Sequence, residues 1–110
     1  MPARFQLKKA RNGKVFFNLL ASNGEIILTS QMYASRASAR KGIASVQTNA
    51  ALDDRFEARA DKSGKSFFVL KAGNRQVIGT GEAYASAAAL KNGMKSVSSN
   101  APKATIEDLC

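Results

Sequence analysis

Six side chains carry the binding chemistry this sequence offers: the rings of Phe16 and Phe67 and the cations Arg4, Lys8, Arg59 and Lys71. Residues two apart on a strand share a face. Phe16 then points the same way as Asn18 and Leu20, and Phe67 the same way as Val69 and Lys71. Arg4, Gln6 and Lys8 line one face of a neighbouring strand, with Arg59 in the corresponding place further along. Aromatic rings among Lys and Arg are how open sheets stack unpaired bases and hold their phosphates. The same face could instead dock an acidic protein.

Catalytic chemistry is harder to build from these residues. There is no histidine, the commonest general base, and no serine has a base beside it to activate it. One cysteine without histidine does not make an ordinary structural zinc site. Asp53-Asp54 and Glu107-Asp108 are acidic pairs at corresponding strand ends, expected as solvated charges rather than a hard-cation site. The glycine-containing turns are too short for a phosphate-binding loop. No catalytic residue, cofactor-binding residue or metal ligand is assigned, and the chain is expected not to be an enzyme. Cys110, the last residue, is expected to be an inert thiol and fits a reducing compartment.

Seventeen Lys and Arg against eight Asp and Glu give a formal net charge of +9. Such a balance serves solubility, and it is also the footprint of a polyanionic partner. No apolar run approaches the ~20 residues that cross a bilayer, and the N-terminal residues lack the apolar stretch of a signal peptide. The expectation is a cytoplasmic protein without membrane insertion.

The elements that position these residues come from a repeat. Sliding the sequence by 51 positions matches 19 of 47 residues between 5–51 and 56–102 without a gap. The matches are punctuation and core. Asn12-Gly13 and Ser63-Gly64 sit between apolar runs, where a tight turn needs positive φ. Asn23-Gly24 and Gly73-Asn74 mark a second turn. Between the turns lie β-rich segments at 4–10, 15–21 and 25–31, then at 55–61, 66–72 and 76–82, so each copy reads as a three-stranded meander.

The period then becomes helical. Ser35 and Ser86 are natural N-caps. Ala39, Gly42, Ile43, Val46 and Ala50 follow helical spacing, as do Leu90, Gly93, Met94, Val97 and Ala101. A glycine inside a helix costs about 1 kcal/mol relative to alanine, so Gly42 and Gly93 point to a close approach by the backbone. Segment 104–109 reads as one more strand, and its counterpart, 51–55, runs straight into the next copy without a linker. Half a chain would bury only about 58% of its unfolded surface. The two copies, about 4–54 and 55–110, are therefore expected to share one pseudo-twofold domain spanning 1–110, and the chain to be a monomer.

Gly-Lys-x-Phe-Phe at 13–17 and 64–68, Tyr-Ala-Ser at 33–35 and 84–86, and Gly-x-x-Ser-Val-x-x-Asn-Ala at 42–50 and 93–101 resemble the YegP-like family of small bacterial proteins. The resemblance spans nearly the whole chain. It implies an α+β fold with a β-β-β-α-β unit used twice. The units form one antiparallel-rich sheet, pack both helices on one face and exchange their C-terminal strands. It implies no activity, the family's function being uncharacterised, and it brings no functional residues or cofactors. A small binding module with a protein-interaction or scaffold role is the favoured expectation. The alternative is single-stranded nucleic-acid binding through the open face bearing Arg4, Lys8, Phe16, Arg59, Phe67 and Lys71.

Overall fold

Gly13, Gly24 and Gly64 take φ of +81°, +85° and +86°, the left-handed region in which a side chain is strained. In the fourth turn Arg75 holds φ of +68° instead. Arg75→Gly is therefore expected to stabilise the fold by about 0.5 kcal/mol, read as a higher midpoint in urea; a lower midpoint would contradict the strain.

The computed structural model describes residues 3–109; Cys110 and the side chain of Asp53 lie outside them. Around the four turns run β1 (Arg4–Lys9), β2 (Val15–Leu20), β3 (Ile26–Ser30), β4 (Phe56–Ala60), β5 (Ser66–Lys71) and β6 (Val77–Thr80). Helix α1 (Arg36–Asn49) follows β3, α2 (Ala87–Asn100) follows β6, and β7 (Thr105–Asp108) comes last. The Ser35 and Ser86 hydroxyls accept from the Ser38 and Ala89 amides at 3.2 and 3.1 Å, capping the helices as their types predict. No helix among the described residues is long and apolar enough to cross a membrane.

The seven strands form one sheet in the order β4-β5-β6-β3-β2-β1-β7. The β1–β7 pairing is parallel and the others are antiparallel. The two copies meet at β3 and β6, where Thr29 pairs with Thr80, so a pseudo-dyad passes between these strands. Period-2 alternation turns Phe5, Leu7, Phe17, Leu19, Phe68 and Leu70 to the helices, and all six are fully buried. Ala39, Ile43 and Val46 from α1 and Leu90 and Val97 from α2 meet them in one core.

The helix glycines serve a side chain rather than another backbone. Tyr33 stacks on Phe17 with ring centroids 6.1 Å apart, and its Cζ would lie 2.6 Å from a β-carbon at Gly42. Tyr84 repeats this on Phe68, with its Cζ 2.6 Å from a β-carbon at Gly93. Burial pushes both phenols up from the ordinary tyrosine value.

The strand exchange is carried by β7, which leaves its own copy and lies along β1. The matching stretch after α1 passes through a 3-10 turn, Asp53–Arg55, directly into β4. It serves as the first strand of copy two, so among the described residues no strand lies along the outer edge of β4.

Candidate functional site

On the face away from the helices, Gln6, Asn18, Thr29, Thr80, Val69 and Glu57 fall in one row of cross-strand partners. Phe16 lies two residues to one side of that row. Phe67 lies two residues to the other side, because β2 and β5 run in opposite directions. Three strand spacings and four residues separate the rings by about 20 Å. Each has one cation as its cross-strand partner, Lys8 for Phe16 and Arg59 for Phe67. The six predicted residues thus share a face and form no single cluster.

Nor is that face the array of free cations the sequence suggested. Glu57 accepts from Lys71 Nζ at 2.9 Å and from Arg59 at 2.8 Å. The Lys71 bond first, then the Arg59 bond, hold its carboxyl below the usual glutamate value. Arg4 lies 3.6 Å from Glu107, with its side chain 18% exposed, beside its cross-strand partner Leu20. Among the described residues only Lys8 of the four predicted cations makes no ion pair. Asn18, Leu20 and Val69 are buried even on this face. Phe16 and Phe67 themselves are partly exposed.

The acidic pair Glu107-Asp108 is exposed at its strand end, as expected, and both members also form ion pairs. Alternation sends its members to opposite faces of β7. Glu107 meets Arg4 and accepts from Gln6 Nε2 at 3.2 Å on the open face. Asp108 accepts from Arg36 at 3.2 Å and Arg40 at 3.3 Å on the helix face. Ala104, just before β7, accepts from Gln47 Nε2 at 3.4 Å. Ile106 pairs with Phe5 in the β1–β7 register. These contacts fasten the exchanged strand.

The pseudo-symmetric place in copy two is uncovered. There a groove of about 460 Å³ runs between β4 and α2, lined by Phe56, Lys91, Met94, Lys95, Ser98 and Ser99. Shifted back 51 positions, Phe56, Lys91 and Ser98 become Phe5, Arg40 and Gln47, residues that touch the β7 segment in copy one. Phe5 and Ile43 are fully buried, whereas their counterparts Phe56 and Met94 are only half-buried. Beside the groove, a second cavity of about 490 Å³ is lined in part by Arg55, Lys71 and Arg75. The Arg55 Nε, without a hydrogen-bond partner, lies 3.8 Å from the Asp54 carboxylate. Sequence reasoning passed over Phe56, Lys91, Met94 and Lys95. The available signal was the odd seventh strand, which can cover only one of two equivalent edges.

Comparison with known proteins matches residues 10–57 and 61–108 to the model of a domain of unknown function, DUF1508. The UPF0339 protein YegP of Yersinia pestis is 52% identical over 105 residues, covering 96% of this chain and 94% of that one. The UPF0339 protein of Pseudomonas aeruginosa is 48% identical over 108 residues, covering 98% of each. The solution NMR structure of the UPF0339 protein of Shewanella oneidensis superposes with a TM-score of 0.91 at 45% identity, over 99% of this chain and 92% of that one. That of yegP from E. coli, described as a protein of unknown function, gives 0.92 at 42% identity, over 99% and 94%.

Proposed function

The chain belongs to the DUF1508 family, whose function is uncharacterised, and from that premise we propose that it is a non-catalytic protein-interaction module working through the β4 edge. One observation carries this reading. The same groove occurs twice by pseudo-symmetry, and the chain fills one with its own β7 while the other keeps a bare strand edge and half-buried Phe56 and Met94. A bare strand edge is a template for another strand, and adding a strand to an edge is a recurrent mode of peptide recognition. The open face is a weaker candidate, because Glu57 and Glu107 already engage Arg59, Lys71 and Arg4.

Site-specific photocrosslinking in bacterial cells tests the assignment. A crosslinking residue at the exposed Ala58 position of β4 is expected to give discrete protein adducts, and one at Phe16 on the open face none. Adducts from position 16 in place of 58, or none from 58, would reject the β4 edge as the working surface.

A further inference from the structure

Resting on that reading, we infer that the β4 groove takes an extended segment of another protein, added parallel to β4, with a small residue, an aliphatic residue and an acid at every second position. The chain's own β7 is the template. Ala104 sits by Gln47, Ile106 faces Phe5, and Asp108 reaches Arg40 from the position paired with Leu7. Moved to copy two, these become a small residue by Ser98, an aliphatic residue over Phe56 and an acid at the Ala58 position facing Lys91. Lys95 stands where copy one has Ala44, adding a cation to the groove wall.

The residue between the aliphatic and the acid is specified by a difference between the copies. In copy one Glu107 faces Gln6, which donates to it. In copy two the counterpart of Gln6 is Glu57, whose carboxylate already accepts from Arg59 and Lys71. Like charges directly opposite across strands are destabilising, so the incoming residue there is a neutral hydrogen-bonding one such as glutamine. This also argues against the β7 of a second copy as the occupant, because it would set Glu107 against Glu57.

The test uses the full chain, 15N-labelled, and peptides with the sequence of residues 101–109 as probes. The peptide carrying Glu107→Gln is expected to shift the amides of Phe56, Glu57, Ala58, Lys91 and Met94 saturably. It is expected to bind about threefold more tightly than the unmodified peptide, the scale of a like-charge cross-strand pair. Adding Asp108→Lys to the peptide should weaken binding at least ~fivefold, and the Lys91→Glu chain should reverse that order. Four results would each overturn the inference: no saturable shift, shifts confined to Arg4–Lys9, equal binding of the Asp108→Lys peptide, or self-association of the chain through β4. Crosslinks from position 58 with no peptide binding would remove this strand pattern and leave the interaction edge standing.

Discussion

Replacing Gly42 with valine is expected to lower stability by about 3 kcal/mol, and Gly93→Val by a similar amount. Neither glycine holds a left-handed φ, so the backbone does not require one. The requirement is room. A β-carbon at Gly42 would meet Tyr33 at Cζ and at the hydroxyl, and would lie 3.1 Å from Phe17. Tyr33 cannot swing aside freely, since its ring stacks on the buried Phe17 and its backbone bridges to Val15 in both directions, at 2.8 and 2.7 Å. Branched atoms of valine would press further into the same ring. Urea denaturation of Gly42→Val beside Lys41→Val separates packing from propensity, because valine at the exposed Lys41 costs only its helix propensity, about 0.5 kcal/mol. Equal losses at positions 41 and 42 would remove the packing role assigned to Gly42.

Phe17→Ala should cost about 4 kcal/mol, and Phe68→Ala about 1 kcal/mol less, within the range for phenylalanine deletions in packed cores. Both rings are fully buried, and each meets a neighbouring phenylalanine edge-on with centroids 5.7 Å apart. The neighbours differ. Phe5, beside Phe17, is sealed under the β7 segment, whereas Phe56, beside Phe68, is half-buried at the uncovered edge. A cavity beside a half-exposed ring can collapse further, and the cost of a deletion depends on how far the site collapses. Chemical denaturation of the two variants reads the difference. A larger loss from Phe68→Ala would mean that the β4 edge is as tightly packed as the β1 edge.

The features legible in the sequence were those with local causes. Asn12-Gly13 and Ser63-Gly64 announce turns because tight turns need positive φ, and Ser35 and Ser86 announce helix starts because their hydroxyls reach amides three residues on. The alternation that sets Phe16 and Phe67 on one face puts their neighbours Phe17 and Phe68 on the other, where both are buried. The candidate site was less legible, because its chemistry depends on partners distant in sequence. Arg4 reads as a free cation until β7 brings Glu107 beside it. Nothing local in the sequence pairs Arg36 and Arg40 with Asp108, which lies 72 and 68 residues away. Alternation puts Phe16 and Phe67 on one face, but only the strand order sets their separation. The groove was the least visible, because Phe56 and Met94 look like core positions, and what sets them apart from Phe5 and Ile43 is their half-burial.

The parallel β1–β7 pairing also has a consequence in time. The Gln6 side chain waits for Glu107, 101 residues later in the chain. At roughly 5–20 residues per second of synthesis, β1 leaves the ribosome about 5–20 seconds before the strand that covers it. Until then the nascent chain carries a bare edge at β1 and, once β4 has been made, a second one there, with Phe5 as open as Phe56. Strands uncovered in this way are where growing chains pair wrongly. Slowing translation between the codons for β4 and those for β7 should therefore lower the soluble yield, whereas slowing it ahead of the codons for β1 should not.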